Sequence, residues 1–104
     1  MSLMFDKIDF SPGQITFNDF NIDIYKPLDL DDDNLKEDMF KVSYPNNYIL
    51  DIGWYSGVEK FIVFIIKDSN WDNPIKKVLC SDLLELNNSV EMCADYLRQK
   101  LIKE

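Results

Sequence analysis

Six apolar residues run without a break from Phe61 to Ile66, closed by Ser56-Gly57-Val58-Glu59 before them and by Asp68-Ser69-Asn70 after. Such a run between turn signals fits a central β-strand covered on both faces. Successive side chains of a strand point to opposite sides, so Phe61, Val63 and Ile65 line one face and Ile62, Phe64 and Ile66 the other. Two further alternating segments precede it. Phe40, Val42 and Tyr44 alternate with Met39, Lys41 and Ser43; after the turn residues Pro45-Asn46-Asn47, Tyr48, Leu50, Ile52 and Trp54 share one face. Three consecutive strands with short connections predict an antiparallel meander over 39–44, 48–55 and 61–67, with Ile75 to Leu79 as an added edge strand.

Beyond Ser81 the period changes. Leu83, Leu86, Val90, Cys93, Leu97 and Leu101 recur every three or four residues, the spacing of one helix face. Ser81 is the expected N-cap. Asn87-Asn88-Ser89 is expected to divide a first turn from a main helix over 88–102, with Asn88 and Glu91 as a capping box. Arg98, Lys100 and Lys103 complement the helix dipole. At the other end, Ser11-Pro12-Gly13 is a turn, Ile15-Thr16-Phe17 alternates, and Phe20, Ile22 and Ile24 resume after Asn18-Asp19. That interruption reads as a tight hairpin or a bulge, and Pro27 ends the segment. The expected fold is α+β, an antiparallel β-meander sheet packed against a C-terminal α-helix. With 104 residues, 46% of them hydrophobic, it forms one domain over 1–104. Met1, Ser2 and Leu3 read as a cloning remnant ahead of a native Met4. One helix covers only one side of such a sheet, so the second side calls for a loop, the N-terminal segment or self-association.

Several chemistries are disfavoured. The chain has no histidine, which removes Ser-His and Cys-His nucleophile pairs and most catalytic zinc sites. Cys80 and Cys93 read as small buried hydrophobes, although their spacing leaves a disulfide open. No signal-peptide pattern and no apolar run near 18 residues is present, so a cytoplasmic location is expected. The net charge of −8 lies entirely before Lys60: residues 1–59 hold twelve acidic side chains against four lysines, and the remainder is balanced. Such a surface repels nucleic acid and anionic membrane and admits a basic protein partner.

The densest acid lies in Asp29-Leu30-Asp31-Asp32-Asp33-Asn34, with Glu37 and Asp38 close behind. Its spacing invites comparison with a calcium-binding EF-hand loop, but position 12, which needs a bidentate Glu, is Phe40, and no helix pair flanks it. The segment reads as a solvated loop or a protein-binding surface; no metal or cofactor is expected. Asp51 lies mid-strand between Ile49 and Gly53. It would act as a general base if a cleft formed beside it, but the usual place for such a residue is the solvent face or a pair with a lysine of a neighbouring strand. No nucleophile or second carboxylate accompanies it in sequence, so no catalytic residue is assigned and the chain reads as a non-enzyme. Trp54 is in phase with Leu50 and Ile52 and is expected in the core. Tyr55 and Trp71, beside turns, are candidate interface anchors. The partner-binding set is therefore Asp29, Asp31, Asp32, Asp33, Glu37, Asp38, Tyr55 and Trp71.

The stretch Asp51-Ile52-Gly53-Trp54-Tyr55, the apolar strand after it, Lys67-Asp68 and Trp71-Asp72-Asn73-Pro74 before the helix resemble small bacterial proteins of the immunity type, which bind and block a cognate toxin in polymorphic toxin systems. The resemblance covers roughly residues 38–102 and implies no catalytic residues. It leads to an acidic inhibitor of a basic toxin; the alternative is a structural or regulatory subunit, a homodimer through its sheet.

Overall fold

Five strands hydrogen-bond in chain order in the computed structural model, which describes residues 4–22 and 25–104. They are β1 Gln14–Asn18, β2 Phe40–Tyr44, β3 Tyr48–Tyr55, β4 Lys60–Lys67 and β5 Lys76–Cys80. Every neighbouring pair is antiparallel. A single helix, α1 Leu83–Lys103, follows β5 among the described residues. This is the α+β meander with a C-terminal helix that the periodicities predict. The tight β2–β3 connection is a 3-10 turn at Pro45–Asn47, where Asn46 and Asn47 take positive φ of 63° and 64°, a region that asparagine tolerates better than most residues.

Register assigns the faces. Phe40, Ile52, Val63 and Val78 lie opposite one another across β2 to β5, and with Val42, Leu50, Phe61 and Ile65 they form the floor of the main core. The helix closes this floor with Leu86, Val90, Cys93, Ala94 and Leu97, all buried. The N-terminal segment closes the rest. Phe5 and Phe10 stack on Phe40 at 5.0 and 5.6 Å, and Phe20 meets Phe61 at 6.2 Å. At the helix end, the Tyr48 hydroxyl donates to Glu104 Oε2 at 2.6 Å and Asn46 Nδ2 donates to Oε1 at 3.0 Å, fastening the C-terminus to the β2–β3 turn.

Three local expectations are corrected. Phe20 and Ile22 are buried but form no strand; with Phe5 beside Phe20 at 5.0 Å they bury their side chains without backbone pairing. Ile24, expected to extend that alternation, lies outside the described residues, as do Met1, Ser2 and Leu3. The bulge falls between Ile15 and Phe17 rather than at Asn18-Asp19, and β1 pairs with β2. The helix begins earlier than 88 and runs unbroken through Asn87–Ser89. Asp82, not Ser81, is its N-cap, accepting from Glu85 N–H at 2.8 Å, so no second cap at Asn88 is needed. Ser89 is tied down instead as the acceptor of the Cys80 thiol at 3.3 Å.

No helix of the described residues is long and apolar enough to cross a membrane. Cys80 and Cys93 are free and buried.

Candidate functional site

The helix-free face of the sheet carries the unusual chemistry. Lys41 on β2, Asp51 on β3 and Phe64 on β4 stand in register across three strands, and Tyr55 lies four residues along β3 on the same side. Trp71 reaches this face from the β4–β5 loop. Phe64 is its centre: its ring meets Tyr55 at 5.9 Å and Trp71 at 6.1 Å, both edge to face. Trp71 remains 46% exposed, and Lys41 Nζ lies 6.0 Å from its ring centroid.

Gly53 explains why acidic groups gather here. Trp54 N–H donates to the Lys36 carbonyl at 2.8 Å and Met39 N–H to the Ile52 carbonyl at 3.1 Å, so the chain between them, Glu37-Asp38, bulges across Gly53. A Cβ at Gly53 would come within 1.8 Å of the Glu37 carbonyl oxygen. Only a residue without a side chain admits that crossing. It sets Glu37 and Asp38 beside Asp51 and Tyr55, whose phenol is pushed up by burial and further by Asp51, Glu37 and Asp38.

Asp51 departs from expectation. It faces a lysine of the neighbouring strand, as one of its sequence readings allows, but it is only 1% exposed. Lys41 Nζ stands 3.8 Å from its Oδ1 and 3.4 Å from Asp38 Oδ1. The first distance is too long for a hydrogen bond, and Asp51 Oδ1 has no hydrogen-bond partner. Burial pushes its pKa up to about 6, against the pull of Lys41 and with a further push from Asp38.

The structure thus brings Glu37, Asp38, Tyr55 and Trp71 of the expected partner-binding set to one face, and adds Lys41, Asp51 and Phe64. Asp29, Asp31, Asp32 and Asp33 lie in the loop that precedes Glu37-Asp38. Asp29 Oδ1 accepts from Asp31 N–H at 3.0 Å and Asp32 Oδ1 from Asn34 N–H at 2.9 Å, so side chains in consecutive turns replace helix bonds. Asp31, Asp32 and Asp33 line a shallow concavity with Lys36, Glu37 and Trp54. Among the described residues no three acidic or cysteine side chains converge as a metal site. Trp54 itself is core, 5% exposed and edge-on to Phe61 at 5.0 Å. Burial pushes the Cys93 thiol up to about 11 and raises Cys80 as well, which keeps both protonated and poorly nucleophilic at neutral pH.

No family model, curated protein or solved structure matches this chain.

Proposed function

We propose that the chain is a small acidic binding protein of the inhibitor or immunity type, which holds a basic protein partner on the helix-free face and neutralises it without catalysis of its own. The observation that carries this reading is the aromatic row Tyr55–Phe64–Trp71 with Glu37 and Asp38 beside Tyr55; Glu37 also lines a concavity with Asp31, Asp32 and Asp33. Partly exposed aromatics supply large contact area at low entropic cost, and an acidic border steers a basic surface toward them. An enzyme that holds phosphate in a basic cleft presents the complementary surface, so a nuclease toxin is the partner class that fits. The cytoplasm, where such a toxin acts on nucleic acid, is the compartment this role requires.

The test is co-expression with the product of the neighbouring reading frame. Protection from its toxicity, with a co-purifying complex whose association slows steeply as salt rises, is the expected result. A partner whose association rate ignores salt would oppose the electrostatic reading.

A second reading has its own observation. Phe17 and Leu79, 40% and 43% exposed, stand in register with Lys41 and Ile62 and so extend the same face as apolar surface. A homodimer would cover it, and the chain would then be a structural or regulatory subunit. Sedimentation equilibrium separates the two: a monomer at micromolar concentration leaves the face free for a partner, whereas a dimer abolished by Trp71→Ala favours the subunit.

A further inference from the structure

Asp51 is a buried anion in the floor of the proposed binding face, and the cation paired with it, Lys41, is shared with Asp38. Lys41 bridges Asp51 and Asp38 at 3.8 and 3.4 Å without a hydrogen bond to the buried oxygen. Together with Glu37, which crosses the same face at Gly53, these groups carry three negative charges and one positive charge. A second cation is therefore accommodated without net repulsion. The walls suit one as well: Trp71 and Tyr55 flank Phe64, and Lys41 already stands over the Trp71 ring at 6.0 Å.

We infer that Asp51, walled by Tyr55, Phe64 and Trp71, is the receiving site for one arginine side chain of the partner, which takes the place of Lys41 at the buried carboxylate. This rests on the binding role proposed above and names the chemistry of its central contact. Lys41, one-third exposed, swings outward to Asp38, to which it is already the closer. The guanidinium supplies what Lys41 does not, a planar fork of donors that meets both carboxylate oxygens and stacks on an exposed indole. A lysine ammonium would repeat the point charge already present; a guanidinium adds directional bonds to an oxygen that has none. Two further lysines stand in register on this face: Lys77 of β5, across from Phe64 and one strand further from Asp51, and Lys60 of β4, across from Tyr55, whose Nζ donates to Ser81 Oγ at 2.9 Å.

The experiment needs no partner, so it fails or succeeds apart from the inhibitor role. The full chain, ¹⁵N-labelled, is titrated at about pH 7.5 and low salt with N-acetyl-arginine amide and, separately, with the uncharged isostere N-acetyl-citrulline amide. The arginine compound is expected to shift the amides of Asp51, Tyr55 and Phe64 and the Trp71 indole N–H, and the citrulline compound is not. Asp51→Asn should weaken the response at least about tenfold. Glu37→Gln with Asp38→Asn, exposed changes that leave the buried acid in place, should weaken it about two- to threefold. Lowering the pH to about 5, which protonates Asp51, should reduce the native response. Equal shifts with citrulline would overturn the inference in favour of an apolar groove. Shifts confined to Asp29–Asp33 would overturn it in favour of diffuse attraction by the acidic loop, and silence at Asp51 would overturn it outright. In that last case a partner still bound at the face would leave the inhibitor role standing.

Discussion

Replacing Asp51 by Asn should stabilise the fold at neutral pH, and the gain should vanish in acid. The carboxyl titrates near 6 in the folded chain against an ordinary value of 3.8, because burial disfavours its charged form. The folded state therefore binds this proton more readily than the unfolded state does. Stability from this group is fully present below about pH 4 and is lost as the pH rises through about 6. Held ionised at pH 7.5, Asp51 costs about 3 kcal/mol relative to its neutral form. The substituted amide is neutral but leaves its own polar atoms poorly bonded, which returns about 1–2 kcal/mol of that. The net gain is about 1–2 kcal/mol, or roughly 5–10 °C in Tm for a domain of this size. Lys41→Met is the opposite perturbation: it strands the buried acid and should lower Tm at pH 7.5 while changing little at pH 4.5. Thermal melts of the three proteins across pH 4.5–7.5 provide the assay. Comparison with the native chain removes the contributions of Asp9, Asp19 and Glu104, whose pKa values are lowered by bonds to Ser11, Lys36 and Tyr48 and which destabilise in acid. An Asp51→Asn protein that melts below native at pH 7.5, or by a margin independent of pH, would refute the reasoning.

Gly53→Ala should cost about 3 kcal/mol or more, because its Cβ collides with backbone rather than with a movable side chain; chemical denaturation would read a large drop in midpoint. Trp54→Ala should cost about 3–5 kcal/mol and reduce binding only through unfolding, which urea titration and binding at low temperature would separate. Asp31→Lys with Asp33→Lys should change stability by less than about 0.5 kcal/mol, both side chains being exposed, yet slow association with a basic partner in stopped flow.

The sheet and helix were legible because their periods are strong. Tyr48, Leu50, Ile52 and Trp54 fall on one face, Phe61 to Ile66 is apolar on both sides, and Leu83 to Leu101 keeps helix spacing throughout. Errors came where one signal has two physical outlets. Phe20 and Ile22 alternate like a strand, yet alternation records only that side chains must be buried; both are buried in the core, Phe20 against Phe5 and Phe61. Asn87-Asn88-Ser89 looks like a break, but on a helix already capped at Asp82 it is merely polar. Tyr55 and Trp71 stand out by residue type and turn-side position, and both lie on the helix-free face. Lys41 and Phe64 do not stand out, since their place beside these residues comes from lying opposite Asp51 in a register that local sequence does not specify. The crossing of Glu37-Asp38 over Gly53 is hidden for a related reason: a lone glycine in a strand does not announce which part of the chain crosses it.

The most direct test of the proposed binding face is the affinity of a Tyr55→Ala, Trp71→Ala double variant for the partner found by co-expression, measured beside a Glu91→Ala, Met92→Ala control on the exposed side of the helix. Both variants should melt within a few degrees of native, since the anchors and the control residues lie outside the main core. A loss of at least about tenfold is expected for the aromatic pair, and native affinity for the helix control. Native affinity in the aromatic variant, with the loss appearing in the helix control, would place the contact on the opposite side of the molecule and contradict it.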